Sequence, residues 1–357
     1  MTWEEARAQF PVFEHVAYLN AGTNGPLARA TAEAMSRRVR ADAERGRGGP
    51  AYFERALALR DEVRGKLAAS VGVEPELFSM ATSTTNGCNI VLSGLRLGPD
   101  DEVLTTDGEH FGLLGALAAS PAQVFVAPVR ELPPEESLPV LLDAVTPRTR
   151  LIALSHVCWM TGNRFPVEEL RRESGVPVLV DGAQSVGAIP VDATAVDYYA
   201  FSCQKWLCGP DATGGLVVRD PEALAVTAPS YFSQESYEPT GAYIPRKGAV
   251  RFDSNWTPVP SLAGLAAALD LQPEGRFEQA AAMAERCREL LGDRVVTAPA
   301  QGTLVTFRVD VDPTELVSAL ADAGVVVRSV PGTSWIRVSC GWWTSVDDLD
   351  RLVAALP

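Results

Sequence analysis

The chain has 357 residues, 46% hydrophobic, 21% charged and 7% aromatic, which is too long for one small module and too apolar for disorder. A buried core and about two domains are expected. With 31 Lys and Arg against 45 Asp and Glu the formal charge is -14, so there is no basic field for a nucleic acid or an anionic membrane, and neither is expected as a partner.

Residues 1–25 read as an N-terminal arm. Met1 to Phe10 carries Glu4 and Glu5 in place of the basic start and apolar stretch of a secretory signal, and no apolar run approaches about 18 residues, so a soluble cytoplasmic protein is expected. After the turn-rich Asn20-Ala21-Gly22-Thr23-Asn24-Gly25-Pro26, helical periodicity runs over 30–43, stops at 46–50 and resumes over 53–70. Short apolar runs then alternate with helical patterns, at 77–81, 102–105, 124–127, 151–154, 178–180, 198–201 and 216–218. This alternation predicts an α/β fold with a mostly parallel seven-stranded sheet covered on both faces, in a large domain over 26–240. The block 230–260, rich in Pro, Gly, Ser and Tyr, reads as a connector. Residues 241–357 then hold the rest of it and a smaller C-terminal α+β domain, with a long alanine-rich helix from Ser261 and strands at 302–309 and 335–339.

Six cysteines (Cys88, Cys158, Cys203, Cys208, Cys287, Cys340) lack the paired spacing of a zinc site and are expected to be reduced; no metal is implied. Lysine is scarce. Only Lys66, Lys205 and Lys247 occur, so chemistry that needs a lysine amine has few candidates.

In a parallel α/β sheet, ligands gather at the carboxyl ends of the strands, and the polar clusters fall there. Asp181-Gly182-Ala183-Gln184 follows the run 178–180: a carboxylate at the mouth of the sheet, then small residues that allow close approach. Taken alone, such an aspartate is more often a helix cap. Ser202-Cys203-Gln204-Lys205-Trp206-Leu207-Cys208-Gly209-Pro210 ends the next run. A lone lysine is usually solvated, but the apolar Trp206 and Leu207 suggest enclosure, which lowers an amine's pKa and suits it to Schiff-base chemistry. Together the two residues have the division of labour that pyridoxal phosphate needs: a carboxylate to keep the pyridine nitrogen protonated and a lysine to hold the aldehyde and move protons. Thr82-Ser83-Thr84-Thr85-Asn86 leads from a strand into a helix, as a phosphate site or as an ordinary cap.

The ordered set Thr84-Thr85, Glu109-His110, Ser155-His156, Asp181 to Gln184 and Ser202 to Lys205 resembles the fold-type I pyridoxal-phosphate enzymes of the class V aminotransferase group, which includes cysteine desulfurases, cyst(e)ine C-S lyases and isopenicillin N epimerase. The resemblance runs from Tyr18-Leu19-Asn20 to Arg337-Val338-Ser339. It implies pyridoxal 5'-phosphate carried on Lys205, with Asp181 at the pyridinium nitrogen, Gln184 at the phenolic oxygen and His110 on the ring face. Thr84, Thr85, Ser202 and Gln204 would hold the phosphate; many relatives have histidine where Gln204 stands. His156 is read as supporting structure. For an amino-acid substrate the resemblance implies Arg337 at the α-carboxylate and Arg328 as a second substrate-facing arginine, with Asn20 and Trp159 also lining the site. It further implies a homodimer, in which Arg251 to Thr257 resembles the piece that reaches the partner's phosphate. Trp256 stands where relatives often have threonine, and Ser254 or Thr257 is expected to substitute.

A desulfurase needs a cysteine on a mobile small-domain loop, and 324–337 contains none, while Cys340 is expected to pack in the interior. Trp159, where desulfurase-like relatives often have asparagine, and the run Lys205 to Pro210 are similar to the cyst(e)ine lyase branch. The expected activity is therefore that of a C-S β-lyase, releasing a thiol or persulfide, pyruvate and ammonia from cysteine, cystine or a cysteine S-conjugate. The alternatives are an aminotransferase or an amino-acid epimerase. Asn20 to Asn24 and Tyr231 to Tyr243 are expected to select the substrate side chain.

Overall fold

A computed structural model describes residues 1–236 and 239–357, so Tyr237 and Glu238 of the expected specificity connector lie outside the described residues. In chain order the elements are α1 (Trp3–Arg7), β1 (Ala17–Tyr18), α2 (Arg29–Arg45), α3 (Pro50–Ser70), β2 (Phe78–Ala81), α4 (Thr84–Gly94), β3 (Glu102–Thr106), α5 (Phe111–Ala118), β4 (Gln123–Ala127), α6 (Pro134–Asp143), β5 (Thr149–Ser155) and α7 (Val167–Ser174). There follow β6 (Val178–Asp181), β7 (Tyr198–Ser202), β8 (Gly214–Val218), α8 (Val259–Asp270), α9 (Arg276–Leu291), β9 (Leu304–Arg308), α10 (Pro313–Asp322), β10 (Val325–Val326), β11 (Arg328–Val330), β12 (Trp335–Ser339) and α11 (Val346–Ala355).

Seven strands form one sheet in the order β2-β8-β7-β6-β5-β3-β4, with β8 antiparallel to both its neighbours and the other pairings parallel. Successive side chains of a strand point to opposite faces, and the core divides accordingly. Leu151 and Ala153 join Val91, Leu113 and Leu117 of α4 and α5 on one face. Ile152 and Leu154 join Val63 and Leu67 of α3, Leu170 of α7 and Leu265 of α8 on the other. Both faces are thus covered, which is why β5, β6 and β7 read as near-continuous apolar runs. At one edge, β4 leaves Val124, Phe125 and Val126 exposed.

A smaller three-stranded antiparallel sheet, β11-β12-β9, carries a second core with Leu320, Ile336, Val338 and Leu349. β1 of the arm pairs in parallel with β10, so the arm belongs to this core through Ala17 and Leu19. Two features differ from the sequence reading. The helix expected as one long piece from Ser261 is two, α8 and α9, because Pro273 cannot continue the hydrogen-bond ladder and Gly275 takes φ 68° in the left-handed region. The small sheet has a further strand, β11, and β10 pairs with the arm; at two and three residues both are too short to show periodicity.

Candidate active site

β5, β6 and β7 end side by side: Ser155 is in register with Asp181, and Asp181 with Ala200. Asp181 is buried, and its Oδ1 accepts the backbone N–H of Ala183 at 2.9 Å, which fixes the carboxylate at the strand end. Burial raises its pKa, and the charge of Lys205 opposes that rise. Beneath it, Gly182 presses on the ring of Tyr199, where a Cβ would lie 2.2 Å from Cε1. Tyr199 Oη sits 2.7 Å from His156 Nδ1 and 2.6 Å from Ser185 Oγ, and Ser185 donates to the Gly182 carbonyl at 3.1 Å. A single direction satisfies the chain: His156 Nδ1–H donates to Tyr199, which donates to Ser185. Burial depresses the His156 pKa to about 3, so the ring is neutral, and through Tyr199 and Ser185 it braces the turn after β6.

Lys205 lies in the turn after β7, where Cys208 N–H donates to the Lys205 carbonyl at 3.0 Å and Gly209 N–H to that of Cys203 at 2.9 Å. Its pKa falls to about 8, mainly through burial, with Asp181 raising it and Arg337 and Arg328 lowering it further. Those four groups therefore share one electrostatic environment, with two cations set against the amine.

Ser83 caps α4 by accepting from Asn86 N–H at 3.1 Å. Gly87 lets that helix approach β7, since a Cβ there would lie 2.7 Å from Ala200 Cβ. The helix start thereby meets the end of β7: Thr84 N–H donates to Ser202 Oγ at 2.9 Å, and the two hydroxyls are 2.8 Å apart. Thr85 stands at the same helix start, facing Gly112 of α5, where a Cβ would be 2.5 Å from its hydroxyl. The side-chain oxygen of Gln204 is buried with no partner among the described residues.

His110 caps α5, its Nδ1 accepting from Gly112 N–H at 3.1 Å, so the ring proton is on Nε2. Burial, then Lys205, Arg328 and Arg337, lower its pKa to about 4. Its ring meets Trp159 edge-on, with centroids 5.2 Å apart. Glu109, just before it, accepts from Thr106 Oγ1 at 2.5 Å and from Ser155 N and Oγ at 2.9 and 2.6 Å, which ties this loop to β5; burial raises its pKa to about 7.

From the small sheet, Arg337 and Arg328 stand in register on β12 and β11. Arg337 is fully buried. Its Nη1 donates to the Trp159 carbonyl at 2.8 Å, whereas Nε and Nη2 have no partner among the described residues. Burial lowers its pKa to about 9, which leaves it charged at neutrality. Arg328 lies 5.4 Å from the Trp159 ring centroid and reaches Thr23 Oγ1 at 3.3 Å; Thr23 in turn donates to Asn20 Oδ1 at 2.8 Å. The arm enters between the two parts of the site. Gly22 N–H donates to Ser339 Oγ at 3.1 Å, Gln184 Nε2 donates to the Gly22 carbonyl at 2.9 Å, and Gly25 N–H donates to the Gln204 carbonyl at 2.7 Å.

The structure thus brings Asp181, Lys205, His110, Arg328 and Arg337 into one field and sets the Thr84–Ser202 pair at the α4 start beside them. Sequence reasoning had Asn20 to Asn24 as a stretch and Trp206 as a wall beside Lys205, but missed the individual contacts of Gly22, Thr23 and Trp206. The run of turn residues around Gly22 was the available sign, but a close backbone approach leaves no residue-type signature. Of the two residues expected to reach a partner's phosphate, Ser254 donates within the chain to Asn86 Oδ1 at 2.5 Å, and Thr257 is buried with no partner for its hydroxyl among the described residues. All six cysteines are unpaired and buried, Cys340 among them, and four residues separate β11 from β12.

Comparison with known proteins agrees in outline. The family described as aminotransferase class-V matches residues 17–352. Isopenicillin N epimerase of Amycolatopsis lactamdurans is 31% identical over 99% of this chain and 98% of its own. The cystine C-S lyase C-DES, solved with its reaction product cysteine persulfide, superposes with a TM-score of 0.90 at 30% identity over 97% of this chain and 98% of its own. A lysine-to-alanine variant of C-DES with glycine covalently linked to its PLP cofactor gives 0.91 at 31% identity, covering 98% of each chain.

Proposed function

The chain belongs to the class-V aminotransferase family and is a pyridoxal-phosphate enzyme, and from that premise we propose that it is a carbon–sulfur β-lyase acting on cysteine, cystine or a cysteine S-conjugate. The residues present fit the cofactor. The hydroxyls of Thr84 and Ser202 meet at a helix start, which suits a phosphate, Gln204 follows two residues on with an amide nitrogen able to donate, and buried Asp181 suits a cationic ring nitrogen. Thr84, Thr85, Ser202 and Gln204 would hold the phosphate, Gln184 the phenolic oxygen, His110 the ring face and Lys205 the aldehyde. Bound there, pyridoxal phosphate supplies an electron-accepting ring that acidifies the Cα–H of an attached amino acid.

The chain's own residues do the rest. Arg337 turns an unpartnered Nε and Nη2 to the α-carboxylate, a two-toothed contact that orients Cα. Arg328, on the neighbouring strand, adds a second cation for a distal anionic group, and cystine carries one. Lys205, with its pKa near 8, exists partly as the free amine at neutral pH and so takes the Cα proton. A sulfur then leaves Cβ, and water completes the release of pyruvate and ammonia.

The observation that carries this reading is that every cysteine is buried and 324–337 contains none, so no thiol of the chain stands ready to take the sulfur, and it departs as a free thiol or persulfide. The test is pyruvate release by holoenzyme from cystine and a panel of cysteine S-conjugates, without added keto acid. Lys205→Ala is expected to lose at least about a thousandfold in rate, as fits removal of the proton-transferring group. No pyruvate across the panel sinks the reading.

The full-length similarity to isopenicillin N epimerase favours epimerisation as the second reading. It predicts solvent deuterium at Cα with inversion and no pyruvate, whereas an aminotransferase would require a keto acid. We further propose a homodimer, supported by exposed Phe53, Phe111, Tyr231 and Trp256, and a reducing compartment such as the cytoplasm, in keeping with six unpaired thiols. Among the described residues no helix is long and apolar enough to cross a membrane.

A further inference from the structure

Gln184 stands where three parts of the chain meet. Its side-chain oxygen accepts the indole N–H of Trp206 at 3.0 Å, and its Nε2 donates to the Gly22 carbonyl of the arm at 2.9 Å. Both Gln184 and Trp206 are buried. Turning the amide over would set its NH2 against the indole N–H and its oxygen against a carbonyl, two repulsions with no water to relieve them. The orientation is therefore fixed from both ends. An amide nitrogen carries two hydrogens; one goes to Gly22, and the second remains for another acceptor. Gly22 makes the approach possible, since a Cβ there would lie 2.9 Å from Gln184 Oε1 and 2.7 Å from Arg337 Nη2.

We propose that Trp206 is a positioning residue: by holding the Gln184 oxygen it presents the remaining amide hydrogen to the cofactor's phenolic oxygen, and through the same amide the seating of the arm is coupled to the charge on that oxygen. Trp206 directly follows Lys205, so one turn carries both the amine and the indole that acts on the phenolic oxygen through Gln184. The proposal rests on the pyridoxal-phosphate reading of the site.

A donor on the phenolic oxygen draws charge from it and weakens its hold on a proton at the neighbouring lysine nitrogen. Losing that donor raises the pH at which the nitrogen gives up its proton. The experiment is a pH titration of the visible absorbance of bound cofactor in holoenzyme. Trp206→Phe is expected to raise the midpoint by about half a unit or more, and Gln184→Ala by at least as much. Trp206→Phe added to Gln184→Ala is expected to shift it no further, because the indole acts only through the amide. An unchanged midpoint in Trp206→Phe, or an equal extra shift without Gln184, overturns the proposal. Gly22→Ala, which pushes on the amide from the arm without opening a cavity, is expected to shift the midpoint the same way; no shift there also counts against it. Should wild-type protein with added pyridoxal phosphate show no visible band, the cofactor reading itself falls, and the proposal with it.

Discussion

A fully buried guanidinium with one hydrogen-bond acceptor is a costly thing to fold, since charge taken from water is repaid only by good partners. Arg337 has the Trp159 carbonyl and two nitrogens left over, so its place in the core is explained by what it binds. Arg337→Met is accordingly expected to abolish activity while making the cofactor-free protein more stable, by about 1–4 kcal/mol in a urea melt. Arg337→Lys keeps the charge but loses the planar fork, and is expected to raise KM about 10–100-fold with a smaller loss in kcat, measured by initial rates of pyruvate release.

At the scale of elements, the site depends on how closely α4 lies against β7. Gly87→Ala would drive a methyl into Ala200 and part the helix start from Ser202; a roughly tenfold weaker hold on pyridoxal phosphate is expected in a spectral titration, with a smaller fall in Tm. The alternation of strands and helices from β2 to β8 was legible in the sequence, because strands buried on both faces must be apolar throughout and their polar ends stand out. The positions of Asp181 and Lys205 at strand ends were legible for the same reason. β10 and β11 were not, being shorter than any period, and the break between α8 and α9 lay hidden in an alanine-rich stretch despite Pro273 and Gly275. The hydrogen bond from Trp206 to Gln184 and the docking of Gly22 on Ser339 depend on tertiary approach, which no local pattern encodes.

For the molecule as a whole, two buried groups near the site pull stability in opposite directions with pH. His156, depressed to about 3 from 6.5, contributes stability above pH 6.5 that is lost as the pH falls. Glu109, raised to about 7 from 4.5, contributes below pH 4.5 and loses that contribution as the pH rises through 7. Between about pH 4.5 and 6.5 these largely cancel, with half-buried His110 adding a solvent-screened share on the acid-labile side and buried Asp181, raised by burial, a share on the other. Urea unfolding of cofactor-free protein should therefore show a shallow dependence in that window. Glu109→Gln should uncover a slope of about 1.4 kcal/mol per pH unit, one proton taken up on unfolding; an equally shallow profile would contradict the balance. The docking of the arm also has an order in time. Phe10 and Phe13 nest on Trp342 and Trp343, Ala17 and Tyr18 lie beside Val325 and Val326, and Gly22 rests on Ser339. Residues 10–22 thus find their berth only when residues more than three hundred positions further along the chain have left the ribosome, so the arm docks late and the site is completed after the large sheet has been made.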